Sequence, residues 1–149
     1  MEQLEQVATQ MGETVAVLSN GIIPISTLYI GINVLLNLIL AILVVRARVK
    51  TGVEIGDGGK NELIQAQRVQ GNNVEYVPFG LLVLIAVEMA AAPVWMVHTL
   101  GAGLSVSRAA HAFGLSQSTG RSAGRFLGTL GTWLVLLVGG IACIYYGLR

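Results

Sequence analysis

Ile22 to Val45 is a run of 24 residues without one charged side chain, and it limits the folds open to this chain more than any other feature. As an α-helix rising 1.5 Å per residue it would extend roughly 36 Å, enough to cross the core of a bilayer with some tilt. Asn33 and Asn37 lie one turn apart within it. An amide facing lipid would lose its partners, so both are expected to turn toward other helices. Composition agrees: of 149 residues 54% are hydrophobic and 11% charged, against about 25% charged in a soluble domain. Four apolar spans are expected, at about 22–45, 68–91, 94–114 and 125–148, following an extension over residues 1–20. The fold class is therefore an all-α integral membrane protein, a four-transmembrane-helix bundle over residues 21–149.

Other classes fall away. A net charge of +1 with no basic patch gives no case for nucleic acid. Cys143 is the single cysteine, which excludes an internal disulfide and a multi-cysteine metal site, and it reads as a small hydrophobe in the last span. No metal is expected. Before the first span come Glu2, Glu5 and Glu13 but no basic residue, so no secretory leader is expected. Leu4, Val7, Met11, Val15 and Leu18 recur there at helical spacing. Both an interfacial amphipathic helix and a frayed extension fit that pattern.

The connections carry the remaining signals. Arg46-Ala47-Arg48-Val49-Lys50 closes the first span as a charged flank, from which one arginine could also reach a ligand. Thr51 to Lys60 is glycine-rich but not a P-loop, since Glu54 replaces the first required glycine and Asn61 follows Lys60. It reads as a flexible connection. Asn61 is expected to cap the next helix, with Glu62 in its first turn. Pro78 should bend that helix, and Pro93 suits the start of the following one. Glu88 and His98, each five residues from Pro93, are expected to lie level and pair. Gly120, Gly124, Gly128 and Gly131 form a small-residue seam that allows close helix approach. Cations concentrate in the first and third connections, which places those loops in the cytoplasm and both termini outside. Trp95, Tyr145 and Tyr146 then fall at the outer interface.

Chemistry gathers at the inner level. Arg68, Asn72, Glu75 and Tyr76 stand at i, i+4, i+7 and i+8, sharing one helical face that cannot point at lipid. Arg108 and His111 are one turn apart at the end of the third span, Arg121 lies in the Ser/Gly-rich link that follows, and Arg125 opens the fourth span. Arginine in such a setting favours carboxylates and phosphates.

At these residues the chain resembles the MAPEG family, membrane-associated proteins in eicosanoid and glutathione metabolism that include microsomal glutathione transferases. The resemblance lies in Arg68-x-x-x-Asn72-x-x-Glu75-Tyr76-x-Pro78, in Arg108-Ala-Ala-His111-Ala-Phe-Gly114-Leu115 and in Arg125-Phe-Leu-Gly128-Thr. It covers about Ile25 to Leu148 and points to a bacterial-type member of the inner membrane. It implies a homotrimer with glutathione bound between subunits near the cytoplasmic face, and lipophilic substrates arriving from the membrane lipids. It also implies that Arg46, Arg68, Asn72, Glu75, Tyr76, Arg108 and His111 bind glutathione, and that Arg121 or Arg125 stabilises its thiolate. A tyrosine of the family pattern is Leu115 here. The implied activity is that of a glutathione transferase or peroxidase in detoxification. A non-catalytic lipid-binding or scaffold protein on the same fold is the alternative. A transporter is disfavoured, because neither paired half-helices nor an internal repeat is visible.

Overall fold

The computed structural model describes every residue except 20–22, 118, 119 and 121, and its described residues form five helices. These are α1 (Glu2–Ser19), α2 (Pro24–Thr51), α3 (Asn61–Met89), α4 (Val94–Gln117) and α5 (Ala123–Gly147). Helices α2 to α5 pack on one another, whereas α1 makes no packing contact with them among the described residues. Three helices, α2, α3 and α5, are long and apolar enough to cross a membrane. The expected third span, α4, is not among them, because Arg108, two histidines and several hydroxyl side chains lower its hydropathy.

Each end has a local cause. Helix α2 begins with Pro24, whose fixed φ suits a first turn, but Ile23 at the cap has no side-chain acceptor. The carboxylate of Glu88 on α3 fills that role: the backbone N–H groups of Ile25 and Ser26 donate to its two oxygens at 2.9 and 2.7 Å. This corrects the expected Glu88–His98 pair. Both residues reach α2 instead, with His98 Nδ1 3.0 Å from the Tyr29 hydroxyl. The unpaired N–H groups of a helix start are a stronger draw for a carboxylate than a partly exposed imidazole.

The first connection is also more ordered than a flexible linker. Helix α2 runs past Val45 to Thr51 and stops at Gly52, whose φ of +70° is the left-handed conformation favoured by glycine. Arg48 Nη1 then donates to the carbonyls of Val53, Glu54 and Gly56 at 3.3, 3.0 and 3.0 Å, folding the loop around one guanidinium. Arg48 is thus a loop anchor. Lys60, not Asn61, is the cap of α3 and makes no side-chain cap bond. Helix α3 continues unbroken through Pro78.

At the last connection Ser122 caps α5 by accepting from Arg125 N at 3.3 Å, while its hydroxyl donates to the Gly114 carbonyl at 2.9 Å. A Cβ at Gly114 would collide with the Arg125 backbone, so glycine lets α5 start against the end of α4. The seam continues at Gly124, Gly128 and Gly131, where added Cβ atoms would meet Ala110, Ser107 and His111. Gly120 lies before α5 and is exposed. The core inside α2–α5 has an apolar part around Tyr29, Leu84, Val97, Leu100 and Leu104, and a polar part around Arg108.

Candidate functional site

Arg68, Asn72, His111 and Arg125 line one cleft of about 250 Å3, with Gln65, Asn61, Ile64 and Leu115 completing its wall. Three helices converge here. Helix α3 contributes residues at spacings of three and four, α4 its last turns, and α5 its first turn, held by the Ser122 cap. Its lining contains no carboxylate. Arg68 and Arg125 are exposed, and neither side chain has a hydrogen-bond or ion-pair partner among the described residues. Two unpaired guanidiniums beside an imidazole and amides form a pocket for an anion. Leu115, at the position of the expected tyrosine, gives the wall an apolar patch. Its carbonyl accepts from Gln65 Nε2 at 2.7 Å.

Arg108 stands behind this wall. It was expected to meet ligand, yet it is 1% exposed and lies outside the cleft lining. Its Nη2 donates to Asn72 Oδ1 at 2.7 Å and lies 3.3 Å from His111 Nδ1. Its Nε donates to Asn73 Oδ1 at 3.4 Å, and its guanidinium carbon sits 5.5 Å from the centre of the Tyr76 ring. Asn73, fully buried, in turn donates to Asn37 Oδ1 on α2 at 3.4 Å. Asn33, also fully buried, donates to the Tyr29 carbonyl and to Ser105 Oγ, each at 2.9 Å. Both asparagines of the first span therefore face inward, as lipid requires.

The remaining expected residues are placed around the cleft. Tyr76 lies beside it and accepts a hydrogen bond at 3.3 Å from Trp133 Nε1. Trp133, with Phe126, Leu130 and Arg125, lines an open apolar groove along α5. Arg125 thus borders both the polar cleft and the apolar groove. Glu75 is exposed on α3 and makes no side-chain hydrogen bond or salt bridge among the described residues, its charge acting on Arg108 from a distance. Arg46 is separated from the others. It lines a neighbouring cleft of about 280 Å3 between α2 and α3, with Lys50, Glu62 and Val69, which shares Gln65 with the first but not Arg68. Arg121 lies outside the described residues.

Asn73 and Gln65 escaped the sequence reading. The signal for Asn73 was present: Val69, Asn73, Val77, Gly80, Leu84 and Val87 follow spacings of four, four, three, four and three, the buried stripe of α3. A polar residue on that stripe is an interior residue with a job.

Comparison with known proteins agrees with the resemblance read from the motifs. The sequence profile of the MAPEG family matches residues 26–145. Two relatives, each named "Inner membrane protein YecN", come from Escherichia coli strain K12 and from Escherichia coli O6:H1 strain CFT073. Each is 37% identical to this chain over 122 residues, which cover 82% of the chain and 92% of the relative. No solved structure matches the chain.

Proposed function

This chain belongs to the MAPEG family, and from that premise we propose that it is a membrane-bound glutathione transferase with peroxidase-like capacity. The observation that carries this reading is the position of Arg125, shared by a carboxylate-free cleft and an apolar groove. Glutathione has two carboxylates, one ammonium and one thiol. Arg68 takes a carboxylate, Asn72 and His111 supply further hydrogen bonds, and Glu75 takes the ammonium. Arg125 faces the sulfur. A free thiol titrates near 8.5, and an adjacent cation favours the thiolate, which is the nucleophile.

A lipophilic electrophile enters along the groove of Phe126, Leu130 and Trp133. The thiolate forms a carbon–sulfur bond, and the leaving group departs with its electron pair. With a hydroperoxide, sulfur attacks the terminal oxygen, the O–O bond breaks, and the alkoxide takes a proton to become an alcohol. A second glutathione thiol then attacks the resulting sulfenic acid, giving the disulfide and water.

In this reading the protein sits in the inner membrane as a homotrimer of four-span subunits, α4 providing the fourth span. Its termini are outside and its first and third loops cytoplasmic. The trimer also gives Arg46 a role, at the glutathione of a neighbouring subunit, since it lines the adjoining cleft and not the one with Arg68.

The test is calorimetry with glutathione on the detergent-purified trimer, together with the ultraviolet absorbance of thiolate, for wild type and Glu75→Ala. Binding with a thiolate band, lost in the variant, is the expected result. Absence of binding at millimolar glutathione would defeat the transferase reading and leave lipid binding as the role of the fold.

A further inference from the structure

We infer that Arg108 is a positioning residue that turns Asn72 and His111 into hydrogen-bond donors toward the ligand, and that Asn73, braced by Asn37, holds it in place. The inference rests on glutathione as the ligand of the cleft for its binding arm only.

The argument is one of direction. A guanidinium has five N–H groups and no acceptor, so every partner of Arg108 must accept from it. Asn72 presents Oδ1 at 2.7 Å, which leaves its Nδ2 hydrogens for the cleft. His111 presents Nδ1 at 3.3 Å, so the ring is neutral there and its proton resides on Nε2. Both side chains line the cleft beside Arg68 and Arg125, and all four then act as donors. Four donors converging on a cleft whose lining has no carboxylate select a ligand rich in acceptors, here carboxylate and thiolate, and disfavour a neutral thiol that lacks the carboxylates.

The same rule fixes the residues behind Arg108. Asn73 Oδ1 accepts from Nε at 3.4 Å, so its Nδ2 must donate, and Asn37 Oδ1 accepts it at 3.4 Å. The chain Asn37–Asn73–Arg108 crosses from α2 through α3 to α4 and is buried at its two inner members. Packing alone does not ask for this. A leucine would fill the Asn73 position with the same branched shape, and an apolar replacement in a buried site is ordinarily tolerated better than a charge.

That contrast supplies the test, on the intact protein in nanodiscs. Asn73→Leu removes the acceptor of Arg108; Asn73→Asp keeps that acceptor as a stronger one, and Asn37 reverses its amide so that its Nδ2 donates to the second carboxylate oxygen. Glutathione affinity should fall about tenfold in Asn73→Leu, the scale of one lost bond to a charged group, and stay near wild type in Asn73→Asp. A purely structural role predicts the reverse order. The second arm needs no ligand. The chain has two histidines, and with 15N-labelled imidazoles their tautomers can be read by NMR. His111 should be the Nε2–H tautomer in wild type and lose that bias in Arg108→Met, with His98 unchanged. An Nδ1–H tautomer for His111 in wild type, or a leucine variant that binds like wild type, overturns the inference. Wild type that binds no glutathione but shows the Nε2–H tautomer overturns the transferase reading and supports the positioning role.

Discussion

Where α3 ends, α4 begins and α5 ends, the core is apolar: Leu84, Val87, Val97, Leu100, Leu104, Val135 and Ala142 pack around Tyr29. Farther along the same helices the interior holds Asn73, Arg108 and His111, with Asn72 and Asn37 partly buried beside them. Meanwhile the outward faces carry Leu28, Ile32, Leu35, Leu134, Leu137 and Ile141. The two regions are held by different forces. Against lipid, apolar burial gives helices little reason to associate, so the apolar end depends on close fit, as where Leu104 packs against Gly80. The polar end is costly unless each donor meets an acceptor, so a buried arginine persists only with partners arranged around it. An expensive interior at one end of the fold marks that end as the candidate site.

Variants can separate the two regions, and the largest effect should come from joining them. Gly128→Leu would place a Cβ 2.5 Å from the Ser107 carbonyl and 2.6 Å from His111 N, both backbone groups on α4. Backbone cannot step aside as a side chain can. The cost should exceed the roughly 1–3 kcal/mol of ordinary overpacking, and gel filtration should show loss of the folded protein.

Arg125→Ala should do the opposite, leaving the fold intact and removing the function. Arg125 is exposed and its side chain has no hydrogen-bond or ion-pair partner to lose among the described residues. Removing one electrostatic stabiliser of a developing anion costs about 100-fold or more in kcat/KM. The thermal midpoint should not move, and the thiolate absorbance should vanish. If it survives in Arg125→Ala and disappears in Arg121→Ala, the role belongs to Arg121. Leu104→Ala reads the apolar end alone. The side chain is fully buried, and its loss should cost about 2–3 kcal/mol in detergent unfolding. That is the low end for a core leucine, because much of the penalty is lost contact. Glutathione affinity should be unchanged.

What was legible in the sequence follows the same division. Three of the apolar spans, the seam at Gly124, Gly128 and Gly131, and the inward turn of Asn33 and Asn37 were readable because lipid leaves few alternatives. The grouping of Arg68, Asn72, His111 and Arg125 was readable because helical spacing and loop charge put them at one level. Arg46 was placed with them by its level and by the family resemblance, which describes a site shared between subunits. A linear reading does not show that α3 stands between two clefts. Glu88 and His98 were compared with each other across one turn, without the third partner, α2, whose uncapped N–H groups claim the carboxylate. Asn73 was passed over because the face was counted from Arg68, while its own stripe began at Val69.

The Glu88 contact gives the next smaller prediction. Glu88→Gln keeps the shape but loses the charge and one of two acceptors for the α2 start. A lost cap costs about 1 kcal/mol, so the thermal midpoint should fall by a few degrees. Amide exchange at Ile25 and Ser26 should accelerate, because those two N–H groups are the donors. Glutathione affinity should hold. A loss of affinity here would mean that the two ends are coupled through α2, by way of Asn33 and Asn37.

The smallest effect is expected where an ion pair looks most favourable on paper. Lys50 Nζ and Glu62 Oε1 are 2.8 Å apart, joining the end of α2 to the start of α3 beside the cleft that contains Arg46. Both side chains are largely exposed, at 69% and 52%. Water and salt screen such a pair, and ordering two long side chains offsets much of the attraction, leaving about 0.5 kcal/mol or less. Arg48 already fixes this connection through three carbonyls, so the pair adds little constraint. Glu62→Gln should therefore leave the thermal midpoint within about a degree of wild type, whereas Arg48→Met should speed amide exchange across residues 52–60. A large drop from Glu62→Gln would show that the second cleft needs its carboxylate to keep Arg46 and Lys50 apart, making it a charged element of the fold.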